Sequence, residues 1–134
     1  MNELESEAGL PATVNYRYAD QVGDELFIAG QVPHDHNRVI VGDGDAAVQA
    51  TQCLDNLRRL VELHRFELGD IRRLTVYVVG EQANLGTAWG AVTEWFGGEV
   101  PPATLLGVNL LGHAGQLVEI DATIRRSAAG ADRV

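Results

Sequence analysis

The sequence predicts an α+β fold in which two helices cover one side of a single sheet, in the order ββαβαββ. Apolar residues recur at helical spacing in two segments, and β-rich segments precede, separate and follow these two. The chain has 134 residues, of which 46% are hydrophobic, enough for one compact core. We expect a single domain over residues 1–134, with its core at about 14–126 and frayed ends.

The first two strands are predicted as a hairpin and the third element as a helix. Residues 13–18 alternate weakly, and the apolar run 25–30 follows the turn residues Gly23-Asp24. A loop at 33–37 comes next, and Gly42-Asp43-Gly44-Asp45 supplies residues that favour a helix start. The helix should run to about His64. Its apolar face is formed by Ala47, Ala50, Leu54, Leu57 and Val61.

The second half of the chain predicts an interior strand, a helix and two final strands. Residues 71–80 are apolar on both faces after Arg73, so something beyond the helices should cover the second face, and we expect oligomerisation. Gly97-Gly98 ends the second helix, and strands follow at about 102–111 and 117–126. The apolar face of this helix is formed by Leu85, Ala88, Val92, Trp95 and Phe96.

Composition excludes several classes of function. The net charge of -9 argues against a nucleic-acid partner, because such binding depends on clustered cationic side chains. No stretch is apolar enough to cross a membrane, and the N-terminus is acidic where a signal peptide is basic, so a cytoplasmic location is expected. Cys53 is the single cysteine, which excludes an internal disulfide and predicts a buried, inert thiol.

Six short segments, taken in order, resemble the reactive-intermediate deaminase (Rid) family, whose older names are endoribonuclease L-PSP and translation inhibitor. The resemblance spans about residues 14–126. The segments are Gly30-Gln31-Val32-Pro33, Gln52-Cys53-Leu54-Asp55-Asn56-Leu57, Gly69-Asp70-Ile71, Thr75-Val76-Tyr77-Val78, Pro102-Ala103 and Val118-Glu119-Ile120-Asp121.

This resemblance implies a fold, an assembly and a reaction. The fold is chorismate-mutase-like, and the assembly is a homotrimer whose sheets form a central barrel with small-molecule clefts between subunits. Active members hydrolyse enamines and imines to ammonia and a 2-oxo acid without metal or cofactor. We therefore expect a small-molecule ligand, no cofactor and no metal.

The family motif Pro-Ala-Arg-Ser is altered in this chain. Its arginine binds the substrate carboxylate, whereas Thr104 stands at the matching position and a hydroxyl cannot pair bidentately with a carboxylate. Standard 2-imino acids are therefore expected to be poor substrates. Ala29 stands where a serine is common, and Trp89 falls near a cleft asparagine, so the expected pocket is less polar.

Three residues are the catalytic candidates that the resemblance implies. Tyr16 and Glu119 match residues placed around the substrate and the attacking water, and Thr104 could hold a polar substrate atom. Each also has a structural interpretation: Glu119 fits a solvated strand face, Thr104 a strand former, and Tyr16 a packing aromatic. The substrate-binding candidates are Ala29, Gly30, Trp89, Ala103 and Leu105.

The histidines and arginines have structural interpretations. His34 and His36 flank an aspartate, but neighbouring loop residues rarely converge on one ion without a distant ligand. His113 is predicted as a mobile surface imidazole in a turn, and His64 as a residue favoured by the helix dipole. The pairs Arg58-Arg59 and Arg72-Arg73 are expected in surface ion pairs.

The sequence is compatible with two functions. The first is a cofactor-free enzyme that hydrolyses or isomerises an enamine, an imine or a related C–N compound. The second is a non-catalytic trimer that binds a metabolite in the same cleft. Replacing Glu119 by glutamine separates them, because it should abolish turnover in an enzyme and leave the affinity of a binder nearly unchanged.

Overall fold

The structure, a computed structural model, describes residues 3–11 and 16–127. The helices are α1 (Glu3–Glu7), α2 (Ala46–Leu63), a 3-10 turn (Leu68–Asp70) and α3 (Gln82–Trp95). The strands are β1 (Ala19–Val22), β2 (Glu25–Ile28), β3 (Ile71–Val79), β4 (Ala103–Val108) and β5 (Val118–Arg125). These bounds confirm both predicted helices and the four strands from residue 25 onward.

The five described strands form one sheet in the order β1-β2-β5-β3-β4. β3 and β4 are parallel and joined through α3, whereas the other neighbours are antiparallel. α2 and α3 pack on one face of this sheet, which confirms the predicted α+β layer. Within the described residues, β4 is an edge strand with no partner on its outer side.

α2 begins and packs as its sequence predicts. The Asp45 side chain accepts hydrogen bonds from the backbone N–H groups of Ala47 and Val48, so it caps the helix. The buried face of α2 meets buried residues of β3 and β5 in one apolar core, where Cys53 is fully buried. Burial, and then the nearby Glu119 charge, raises the pKa of the Cys53 thiol, which suits an inert residue.

The N-terminal third differs from expectation. The first strand is Ala19–Val22, because it must directly precede the Gly23-Asp24 turn, in which Gly23 has φ of 58°. Residues 16–18 lie outside the strand, and 13–15 lie outside the described residues. The N-terminal segment also contains helix α1, which was not predicted, and Leu10 is buried against Tyr18 and Leu60.

The sheet side away from the helices is called the open face here. It is less apolar than expected, because the outward residues of β5 are acidic and those of β3 include hydroxyl groups. Phe27 is 55% exposed on this side. The other members of the open face are Arg73, Thr75, Tyr77, Val79, Thr104, Leu106, Val108, Glu119, Asp121 and Thr123.

Candidate functional site

Glu119 lies on the open face where the loop after β2 runs beside β5. Gln31 and Ile120 exchange backbone hydrogen bonds of 2.7 and 3.1 Å, which brings Gly30 against the Glu119 side chain. A Cβ added to Gly30 would clash with the Glu119 carboxylate and lie 3.0 Å from its Cδ. Gly30, a predicted site residue, is therefore glycine because the carboxylate occupies the space of a side chain.

Gln116 holds the other side of the same carboxylate. It is 3% exposed, and its Nε2 donates to Glu119 Oε1 at 3.2 Å and to the Val118 carbonyl at 3.1 Å. Both partners are acceptors, which fixes the orientation of the amide. Its Oε1 is buried with no partner among the described residues, so the amide keeps an unused acceptor beside Glu119. Sequence reasoning missed Gln116.

Tyr77 and Asp121 extend the polar surface next to Glu119. Tyr77 lies directly opposite Glu119 in the β3–β5 register, and its hydroxyl donates to Asp121 Oδ2 at 3.1 Å. Burial, and then the hydrogen bond and charge of Asp121, raise the pKa of Tyr77, so its phenol keeps its proton. Both residues were missed, although 119 and 121 share one strand face by simple alternation.

Thr104 lies on the open face of β4 and meets an arginine there. The Arg73 guanidinium donates from Nη2 to Thr104 Oγ1 at 2.6 Å. This contact corrects the expectation that Arg73 forms a surface ion pair, whereas Arg58 does pair with Asp55 at 3.1 Å. Arg72 donates to the Arg125 carbonyl at 2.9 Å.

Three predicted substrate-binding side chains lie on the helix-covered side of the sheet and not on the open face. Ala103 and Leu105 alternate with Thr104 along β4, so their side chains pack against the core. Trp89 on α3 also packs against that core and is half-buried. Within one chain these residues do not join Glu119. Ala29 is half-buried directly before Gly30, and its carbonyl accepts from Gln31 Nε2 at 2.8 Å.

Tyr16 precedes β1 and lines a cavity of about 20 Å³ that Gly30 also borders. The cavity contains a pair of imidazoles, because His34 and His113 lie in edge-to-face contact with ring centroids 4.7 Å apart. Burial, and then His113 and Arg38, lower the pKa of His34. His113 is exposed in the turn before β5, which confirms its predicted surface location, and its ring also contacts His34.

The remaining histidines have separate partners. His36 is exposed, and Asp35 accepts backbone hydrogen bonds from residues 37 and 39 in its own loop, which lower its pKa. His64 ends α2 as its C-cap, near Glu5 Oε2 at 3.4 Å. Among residues 3–11 and 16–127, no group of three His, Cys, Asp or Glu side chains is placed to hold a metal ion.

The candidate residues form two half-sites on the open face. Glu119, Gly30 and Gln116 lie at β5, whereas Thr104 lies on β4. Arg73 belongs to β3, between these two strands, and its guanidinium reaches toward β4 to contact Thr104. Strands two places apart in a sheet are separated by about 10 Å, more than one hydrogen bond can bridge. In one chain, therefore, the carboxylate and the guanidinium do not act on the same atom.

Fold and site together define a class: a small α+β protein whose polar residues lie on an uncovered sheet face. The sequence profile of the endoribonuclease L-PSP family matches residues 7–125, so the chain belongs to that family. This finding confirms the Rid resemblance. None of the helices in the described ranges is long and apolar enough to span a membrane.

Individual relatives support the same family. The chain is 31% identical over 109 residues to a RutC family protein of Pyrococcus horikoshii, covering 80% of this chain and 83% of the relative. It is 32% identical over 79 residues to the 2-iminobutanoate/2-iminopropanoate deaminase of Escherichia coli, covering 58% and 61%. The crystal structure of the YjgF gene product of E. coli matches with a TM-score of 0.78 and 26% identity, covering 90% and 95%.

Proposed function

We propose that this protein is a cofactor-free hydrolase of small enamines or imines, working in the cytoplasm as a homotrimer of single-domain chains. The observation that carries the proposal is the Glu119 carboxylate on the open face, held between the Gln116 amide and the Gly30 backbone. Relatives named 2-iminobutanoate/2-iminopropanoate deaminase support this reaction class.

Glu119 serves as the base that activates water. It accepts a proton as the water oxygen attacks the carbon of the C=N bond, and it passes that proton to the nitrogen. Glu119 then takes the hydroxyl proton of the carbinolamine and passes it to the amine nitrogen, the C–N bond breaks, and ammonia and a carbonyl compound leave. Water is the single co-reactant, so atoms and charge balance. Tyr77, which keeps its proton, lies opposite Glu119 in the register and donates to the neighbouring Asp121.

The residue composition favours water over a covalent amine intermediate. All ten basic residues of the chain are arginines, so no lysine amine is present to form a Schiff base with the substrate. A guanidinium stays protonated and is a poor nucleophile. Hydrolysis by a carboxylate-activated water is therefore the chemistry that these side chains support best.

We place the cleft between subunits because of the distance between the half-sites. A small imine cannot contact Glu119 at β5 and Thr104 at β4 of one sheet simultaneously. A neighbouring copy that packs on the open face would bring its β4 edge near the Glu119 of the first copy. Tyr16, exposed beside Gly30, would then line the entrance.

A nucleic-acid partner is not part of this proposal, despite the family's older name. The chain carries a net charge of -9, and Arg17, Arg58 and Arg126 each lie beside an aspartate. Arginines paired in this way do not form the cationic surface that a phosphate backbone requires.

The test is release of ammonia and carbonyl product from imines generated in situ, measured for wild type, Glu119→Gln and Glu62→Gln. Glu62 is exposed on α2, away from the open face, and serves as the matched control. We expect Glu119→Gln to lose at least about 100-fold in kcat and Glu62→Gln to match wild type. Ligand binding without turnover in the wild type would instead establish the non-catalytic binding trimer.

A further inference from the structure

The guanidinium of Arg73 lies next to the Thr104 side chain on the open face. The two residues lie on neighbouring parallel strands, with Thr75 paired to Thr104 in the register, and the Arg73 side chain turns toward β4. Its Nη2 donates to Thr104 Oγ1 at 2.6 Å. The exposed guanidinium therefore lies on the open face beside the edge of the described sheet.

This guanidinium has no carboxylate partner within residues 3–11 and 16–127. The acidic residue nearest in the register is Asp121, which lies across β3 from Thr104 and accepts the Tyr77 hydroxyl at 3.1 Å. A guanidinium has five N–H donors, and one neutral hydroxyl uses a single donor. In a chain with 19 acidic and 10 basic residues, the side-chain partner of this cation is a neutral hydroxyl.

We propose that Arg73, oriented by Thr104, binds the carboxylate of the substrate, so that the substrates are imines or enamines of 2-oxo acids. The inference rests on the proposed hydrolase function and names its substrate class. Thr104 accepts from one edge of the guanidinium, which leaves a second edge for a bidentate pair with a carboxylate. The Thr104 hydroxyl proton remains available to the same carboxylate.

This assignment reverses the substrate preference expected from the altered motif. Thr104 removes a guanidinium from β4, but Arg73 supplies one from β3 to the same point on the open face. An arginine can reach this point from either strand because adjacent strands are about 4.8 Å apart and the side chain spans a longer distance. The arginine therefore stands at a different position in the sequence, but its positive charge lies at the same place on the open face.

The experiment compares binding of pyruvate, a carboxylate ligand, with binding of its uncharged amide, pyruvamide, by calorimetry or NMR titration. The proteins are wild type, Arg73→Gln, the exchange variant Arg73→Thr/Thr104→Arg, and Arg59→Gln as control. Arg59 is exposed on α2, outside the open face. Each protein is also assayed with 2-imino acids and with neutral imines, so that KM and kcat are obtained separately.

Loss of a hydrogen-bonded charge pair should weaken pyruvate binding and raise KM by at least about tenfold in Arg73→Gln. kcat and pyruvamide binding should change little. The exchange variant should recover pyruvate affinity to within about threefold of wild type, which a merely folding-related loss would not allow. Arg59→Gln should match wild type.

Equal pyruvate affinity in wild type and Arg73→Gln, or equal affinity of wild type for pyruvate and pyruvamide, would overturn the assignment. Turnover of neutral imines without turnover of 2-imino acids would also overturn the assignment of Arg73, but it would still support the proposed hydrolase function. Conversely, Arg73-dependent pyruvate binding without any imine turnover would support the carboxylate site and contradict the proposed hydrolase function.

Discussion

Gly30 is the residue whose size most directly sets the position of Glu119. A Cβ at Gly30 would enter the space of the Glu119 carboxylate. Gly30→Ala should displace that carboxylate and lower kcat by about 100-fold, the usual consequence of misplacing a catalytic group by about 1 Å. Steady-state kinetics on the preferred imine would measure the effect.

Gly86→Ala is the matched control for this change. Gly86 lies in α3, where nothing is within 4 Å of an added Cβ. Alanine in a helix interior is more favourable than glycine by about 0.5–1 kcal/mol, so this variant should be slightly more stable with unchanged kinetics. If both variants retain wild-type activity, the contact between Gly30 and Glu119 does not contribute to catalysis.

Helix α2 holds the loop before β5 through one buried side chain, that of Gln49. Gln49 Oε1 accepts from the backbone N–H groups of Leu117 and Val118 at 2.7 and 3.3 Å. Its Nε2 donates to the carbonyls of Gly42 and Gly115 at 3.1 and 2.9 Å. Because residues 115–118 lead directly into the Glu119 position, Gln49 couples the helix layer to the candidate site.

Gln49→Leu should lower the free energy of unfolding by about 2–4 kcal/mol, because it leaves buried backbone groups without partners. Urea denaturation with a linear extrapolation measures this loss. Gln82→Leu, at the exposed start of α3, is the control and should stay within about 0.5 kcal/mol of wild type. A Gln49→Leu variant as stable as this control would show that solvent or local rearrangement satisfies the four groups.

The open face leads us to predict that the protein assembles with further copies of itself. It exposes Phe27 and carries Leu106 and Val108 at the β4 edge, so a second copy is the partner that we expect to cover it. Sedimentation equilibrium should give a mass of three 14.5 kDa chains for the wild type. Leu106→Glu should dissociate this trimer, because it adds a carboxylate to the row that contains Tyr77 and Glu119.

Val48→Glu is the corresponding change on the other side of the molecule. Val48 is exposed on α2, on the helix layer, and this variant should remain trimeric. A wild type that sediments as a monomer at all concentrations would refute the trimer. Dissociation by both variants would show instead that added negative charge, and not its location, controls association.

Much of the architecture followed from local signals. Helical periodicity and the helix-start segment Gly42-Asp43-Gly44-Asp45 predicted α2, and Gly97-Gly98 predicted the end of α3. Such signals depend on residues within a few positions of each other. The strand after Tyr18 was missed because Ala19–Val22 has few β-branched residues and is recognised only through its pairing with β2.

The sequence alone predicted the order of the elements from β2 onward, the family and an outward strand position for Glu119. Tertiary structure alone decided which side chains meet. Arg73 and Thr104 are 31 residues apart, and His34 and His113 are joined only by the packing of two loops. Such contacts depend on strand register and crossover, which set distances in space that spacing along the chain does not encode.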